Sequence, residues 1–201
     1  MAQIARRAVI GVDFDNTLIG YDDLMLQESL DRGFLTRAGG GGLKSKKAIR
    51  DEIRALPNGE DKWRLLQAAV YGPGIGAAKI IRGVRRFFEM CRDRGVVIYI
   101  VSHKTEFAGR DDTGTNLRTA ALKWMKKNRF FETKGMALPE TSVFFESTRR
   151  EKLRRIARLK CTHFIDDMEE TFLEPIFPRK VEKILFHPHD PPPACVPGVR
   201  V

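Results

Sequence analysis

The sequence predicts an α/β protein: a Rossmann-like, doubly wound parallel sheet carrying an inserted small helical segment. Three observations lead there. Short, continuously apolar runs recur at 8–12, 96–101, 142–145, 163–165 and 183–186, and unbroken rather than alternating hydrophobicity marks strands buried on both faces of a parallel sheet. Helical periodicity fills the intervals between the later runs, which gives the alternation of an open α/β sheet. One interval departs from this rhythm, because residues 21–78 carry helical patches and no convincing strand.

The elements follow in order. "AVIGV" at 8–12 is the first strand. The patches "DLMLQESLDRG", "LKSKKAIRDEIRAL" and "DKWRLLQAAVYG" come next, interrupted by "GGGG" at 39–42 and "LPNGE" at 56–60. A connection of this length is improbable as structureless loop, so 21–78 reads as a helical insertion at one edge of the sheet. The stretch 79–95 places Ile80, Val84, Phe87, Phe88 and Cys91 on one helical stripe, with Gly95 as its stop. Strand 96–101, helix 115–128, strand 142–145, helix 149–160 and strands 163–165 and 183–186 complete the sheet. The expected organisation is therefore a core domain of 1–20 and 79–190, a helical insertion of 21–78, and an irregular proline-rich tail of 191–201.

Composition sets limits on function. With 201 residues and 42% hydrophobic content the chain can form one full core. No apolar run approaches the roughly 20 residues that span a bilayer, and no secretory leader pattern opens the chain, so a cytoplasmic protein without membrane association is expected. Cys91, Cys161 and Cys195 are widely spaced and form no CxxC, which suggests neither a disulfide framework nor a zinc site. The net charge of +10 predicts attraction to anions, either nucleic acid or small phosphorylated metabolites. Much of the excess lies in "KWMKKNR" at 123–129 and in 148–160, where seven basic residues accompany one acid. Both runs also carry apolar residues at helical spacing, as amphipathic helices with a solvated basic face do.

The chemistry-bearing residues sit at strand ends. Asp13 and Asp15 follow the first apolar run, and residues at i and i+2 share a face if the strand continues through them. In doubly wound sheets the ligand crevice lies beyond the carboxyl ends of the strands. Two adjacent carboxylates repel unless a cation lies between them or one takes up a proton, and a hard divalent cation such as Mg²⁺ suits oxygen ligands. The alternative is a turn whose Asp and Asn side chains satisfy local backbone donors. Ser102 ends a second strand and the acids Asp166 and Asp167 end a third, the latter pair also suited to cap a helix at "MEETF". Two further strings are weaker. "GPGIG" at 72–76 lacks the spacing of a phosphate loop and reads as a hinge, and His187, His189 and Asp190 lie in the tail without further ligands.

Asp13-Phe14-Asp15-Asn16-Thr17 after an apolar strand resembles the DxDxT signature of the haloacid dehalogenase (HAD) superfamily of phosphatases and phosphotransferases. Ser102 matches the second motif, Lys152 the third, and Asp166-Asp167 the fourth. The resemblance covers 5–20 and 79–187, and 21–78 falls where members of one subgroup carry a helical cap. It implies an aspartyl-phosphate mechanism, with Asp13 as nucleophile and Asp15 as general acid and then base. It implies Mg²⁺ held by the Asp13 carboxylate, the Asp15 carbonyl and Asp166, with Asp167 as a further ligand or an outer acceptor. Ser102 and Lys152, with Asn16 and Thr17 beside them, would bind the phosphoryl oxygens. Lys152 stands at the beginning of its helix, as the family's lysine does, whereas the competing Lys160 stands near the far end. His103 and Lys104 are either substrate contacts or exposed loop residues. The leading reading is a Mg²⁺-dependent phosphomonoesterase acting on a small phosphorylated metabolite. The alternatives are a phosphatase of nucleic-acid ends, which the absence of an RNA-binding aromatic signature disfavours, and a binding or regulatory protein without turnover.

Overall fold

The structure is a computed structural model that describes residues 7–36, 45–109, 114–187 and 198–200. Its elements run β1 (Val9–Val12), β2 (Ile19–Gly20), α1 (Asp22–Asp31), α2 (Lys46–Arg54), α3 (Gly59–Tyr71), β3 (Lys79–Ile80), α4 (Val84–Asp93), β4 (Val97–His103), α5 (Leu117–Lys127), β5 (Val143–Glu146), α6 (Arg149–Arg158), β6 (His163–Asp166), α7 (Glu169–Leu173), β7 (Glu182–Leu185) and β8 (Val199–Arg200). Among the described residues six strands form one sheet in the order β5-β4-β1-β6-β7-β8. Every neighbouring pair is parallel, so the α/β, doubly wound expectation holds.

The strand order determines where chemistry can occur. β1 is central, pairing with β4 through Val12↔Ile100 and with β6 through Val12↔Ile165. From β1 the chain proceeds outward through β4 and β5, then returns to place β6 on the other side of β1. This reversal is the topological switch point, where open parallel sheets bind ligands at their carboxyl edge. Asp13, Ser102, Glu146 and Asp166 all lie at or just past that edge.

Helices are positioned by their ends as well as by their apolar stripes. α4 stops in a Schellman motif: Gly95 has φ +65°, its N–H donates to the Arg92 carbonyl, and the Val96 N–H donates to the Cys91 carbonyl. α6 starts in a capping box, with Thr148 Oγ1 accepting from the Glu151 N–H while the Glu151 carboxylate accepts from the Thr148 N–H. Leu153 and Ile156 of α6 enter a core shared with Val101, Phe164, Phe172 and Leu185.

The chain divides into two compact units, and the division differs from the expected one. The first comprises Met1–Leu18, Ile81–Lys104 and Arg129–Val201; the second comprises Ile19–Ile80 and Thr105–Asn128. The second unit therefore takes α5 as well as α1, α2 and α3. Its anchor is Trp124, buried, whose Nε1–H donates to the Ala78 carbonyl at 3.0 Å. Tyr21 packs edge-on against Tyr71 within the same unit, and β2 pairs antiparallel with β3.

Other expectations need correction. Lys79–Ile80 is a strand and the following helix begins at Val84, because Ile80 pairs with Ile19 and Gly83 adopts φ +94°. Pro73–Ala77 forms a 3₁₀ turn inside the second unit, while the unit boundaries fall at Leu18/Ile19 and Ile80/Ile81 rather than at "GPGIG". In the tail, Val199–Arg200 extends the sheet beside β7. "GGGG", His189, Asp190 and Cys195 lie outside the described residues. Among the described residues no helix is long and apolar enough to cross a membrane.

Gly11 sits in close packing on the central strand. A Cβ there would lie 2.6 Å from Cδ2 of the buried Phe164 ring. Overpacking a filled core costs about 1–3 kcal/mol, which exceeds the roughly 0.5–1 kcal/mol that alanine gains over glycine in chain entropy. Gly11→Ala is expected to lower the thermal midpoint by several degrees, at about 2–4 °C per kcal/mol for a chain of this size. Adding Phe164→Leu should recover part of the loss, and an unchanged midpoint in a thermal melt of Gly11→Ala would refute this packing.

Candidate active site

The site begins where β1 stops. The regular strand ends at Val12, but the Asp13 N–H still donates to the Ile165 carbonyl at 2.9 Å, so the ladder holds Asp13 against β6. Beyond it the chain turns sharply: Leu18 N–H donates to the Phe14 carbonyl, and Asn16 has φ +57°, a conformation asparagine tolerates better than most residues. Phe14 anchors this turn, fully buried and edge-on to Phe145 at 5.8 Å.

The two aspartates therefore do not continue one strand face. Asp13 is buried and Asp15 is partly exposed, and each meets a different lysine. Lys152 Nζ donates to Asp13 Oδ1 at 2.6 Å and to Asp166 Oδ2 at 2.7 Å. Lys104 Nζ lies 2.9 Å from Asp15 Oδ2.

Lys152 reaches Asp13 and Asp166 because α6 begins immediately after the carboxyl end of β5, and its first turn stands at the same sheet edge. The residue is 4% exposed. Burial alone would lower its basicity, but Asp13 and Asp166 overcome this and hold the ammonium well above the ordinary lysine range. Lys160, by contrast, is exposed beyond the end of the helix.

Asp166, fully buried at the end of β6, is oriented from both sides: Oδ2 accepts from Lys152 and Oδ1 accepts from the Met168 N–H at 2.9 Å. Met168, not either aspartate, is the N-cap residue of α7. Asp13, Asp166 and Asp167 each offer a carboxylate oxygen within 4.8 Å of the others. The acidity of Asp13 reflects this crowding. Burial pushes its pKa up to about 6, Asp166 and Asp15 add to the rise, and Lys152 opposes it.

This donor set fits a hard divalent cation. Asp13 and Asp166 share Lys152, Asp167 brings a third carboxylate within 4.8 Å of theirs, and all these oxygens are of the kind Mg²⁺ accepts. Thr17 Oγ1 and Asn16 Oδ1, in the turn that follows Asp13, are buried with no hydrogen-bond partner among the described residues. Ser102 is buried one residue before the end of β4, in register with Phe145 of β5.

Lys104 corrects the reading of an exposed loop. It is 3% exposed, its N–H donates to the Glu146 carbonyl at 2.9 Å, and its ammonium lies 5.7 Å from the Phe14 ring centroid. Strand alternation carried the signal, since a residue two beyond Ser102 shares its face if the extended backbone persists. His103 points the other way, exposed, with Nε2–H donating to the Ser147 carbonyl at 3.0 Å.

No protein-family model matches the chain, and no curated protein matches it in sequence. Solved structures do match in fold. A haloacid dehalogenase-like family hydrolase from Xanthomonas campestris superposes with a TM-score of 0.51 at 12% identity, over 97% of this chain and 90% of that one. A HAD-superfamily hydrolase, subfamily IA, variant 1, from Geobacter sulfurreducens gives 0.54 at 12% identity, over 97% and 91%. A HAD hydrolase, family IA, variant 3, from Entamoeba histolytica gives 0.50 at 11%, over 88% and 82%. At such identities the likeness is one of architecture, and the chain has the fold of the haloacid dehalogenase superfamily hydrolases.

Proposed function

We propose that this protein is a Mg²⁺-dependent phosphomonoester hydrolase that acts on a small phosphorylated metabolite through an aspartyl-phosphate intermediate. The observation that carries the reading is the buried cluster of Asp13, Asp166 and Lys152, with Asp167 beside it and Asp15 two residues from the nucleophile. The fold shared with HAD-type hydrolases supports it.

Asp13 attacks phosphorus through a carboxylate oxygen while the bond from phosphorus to the leaving oxygen breaks. Asp15 gives its proton to that oxygen as the alcohol departs. Asp15, now a carboxylate, takes a proton from the water that attacks the phosphoryl-aspartate, and the Asp13 oxygen is released with inorganic phosphate. Lys152 stays between Asp13 and Asp166 and offsets charge on the nucleophile and the transferring group. Asp13, Asp166 and Asp167 would hold Mg²⁺, with the Asp15 carbonyl as a further donor, and the ion would supply Lewis-acid stabilisation of the phosphoryl oxygens. Ser102, Asn16 and Thr17 would complete the binding of those oxygens.

The basic surface bears on substrate size. On α6, Arg149 and Arg155 are paired with Glu174 and Glu146, whereas Arg150, Arg154 and Arg158 are exposed. At 100° per residue these three lie on the side of the helix opposite Lys152, so they do not lead a phosphate backbone towards Asp13. This favours a small substrate over a nucleic-acid end.

Hydrolysis of an aryl phosphate should vanish in EDTA and return with Mg²⁺, and full activity in chelator would contradict the metal role. Asp13→Asn should abolish turnover, because an amide cannot attack phosphorus as a carboxylate does. Mass spectrometry after rapid quench should find phosphate on the peptide containing Asp13 in the wild-type protein. Asp15→Asn should slow an alkyl phosphate by roughly 10²–10⁴-fold, with a smaller loss on an aryl phosphate whose leaving group needs little protonation.

A further inference from the structure

We propose that Lys104 is the positioning residue for Asp15: it holds that carboxyl group in the plane from which it exchanges a proton with the leaving oxygen and the attacking water. The inference rests on the phosphomonoester reading above. Its starting point is a property of aspartate, whose terminal torsion is broad and two-fold, so its partners set the plane of its carboxyl group. Here one oxygen, Oδ2, is gripped by Lys104 Nζ at 2.9 Å.

The grip is useful only if the lysine is itself immobile. Lys104 is restrained on several sides: its side chain is buried, its N–H is bonded to the Glu146 carbonyl of β5, and its ammonium faces the Phe14 ring. Glu146 is in turn held by Arg155 Nε at 2.6 Å, and Phe14 is wedged on Phe145. The chain from β5 through Lys104 to Asp15 is thus a series of short, directional contacts between rigid strand ends.

Stability does not account for such a residue. Lysines are rarely buried unless paired, and taking an ammonium out of water costs free energy that its pairing often only offsets. What the pairing of buried Lys104 with the partly exposed Asp15 supplies is a fixed geometry. Nor does Lys104 duplicate Lys152, whose ammonium donates to Asp13 and Asp166. Each candidate catalytic aspartate has its own cation, and Lys104 acts through Asp15.

A double-mutant cycle tests this. Wild type, Lys104→Met, Asp15→Asn and the double variant are assayed with Mg²⁺ on an alkyl and an aryl phosphate, with thermal melts to confirm folding. Lys104→Gln, which keeps a donor, serves if the Met variant does not fold. Misplacing a reacting group by about 1 Å costs on the order of 10²-fold, so Lys104→Met should lower kcat on the alkyl phosphate by about 10–100-fold. The loss on the aryl phosphate should be smaller and KM should stay within roughly threefold. In the Asp15→Asn background the same change should cost no more than about twofold, since the residue it positions is gone. Additive losses, equal losses on both substrates, or an effect confined to KM would each overturn the role. Turnover that survives Asp13→Asn would overturn the catalytic reading itself, which the cycle does not address.

Discussion

One buried ammonium group organises the site. Lys152 Nζ sits 2.6 Å from Asp13 Oδ1 and 2.7 Å from Asp166 Oδ2, and the three residues come from α6, the end of β1 and the end of β6. Two buried carboxylates at this separation repel strongly in a medium of low dielectric, and removing the cation from such an arrangement typically costs about 3–5 kcal/mol. The constraint reaches outward. The capping box at Thr148 sets where α6 begins, Leu153 and Ile156 set its rotation on the sheet, and both must be right for the lysine to arrive between the acids.

The same cation leaves the site unfinished in a way that favours phosphate chemistry. Asp13 and Asp166 together carry more negative charge than Lys152 offsets, and burial adds to the difficulty of keeping Asp13 ionised. A divalent ion relieves that excess, and a phosphoryl group needs the same relief before a carboxylate can approach it. Asp15 stands apart in its environment. It meets Lys104 rather than Lys152, it is partly exposed, and its side chain lies outside the group of converging carboxylates. Different surroundings for two aspartates two residues apart are what a division into nucleophile and proton carrier requires.

Much of this is legible in the sequence because parallel strands are buried on both faces. Continuous apolar runs located the five strands of four or more residues among the described residues within one or two residues, and strand ends in this topology share one edge, so Asp13, Ser102 and Asp166 could be grouped from the sequence. What escaped detection depends on contacts distant in sequence or on short elements. Lys79–Ile80 is a strand only because it pairs with Ile19–Gly20, and Val199–Arg200 only because it pairs with β7. The helix around Trp124 has the periodicity of any crossover helix, and its bond to Ala78, which places it in the second unit, leaves no local signature. Lys104 stayed open between a substrate contact and an exposed loop residue for a related reason: a lysine after a strand looks solvated until an acid from another segment is found beside it.

The excess of basic residues also acquires a physical place. At the strand ends the lysines are matched by carboxylates, and Arg149 and Arg155 have their own acids, so the buried and half-buried charges largely compensate one another. The surplus resides on exposed faces such as Arg150, Arg154 and Arg158. Charges there act across solvent, over a screening length of about 8 Å at physiological ionic strength. They can raise the rate at which anions arrive, but they cannot discriminate among them. Discrimination must come from groups that touch the substrate, which under the proposed function stand at the carboxyl edge of the sheet, on the opposite side of α6 from the arginines.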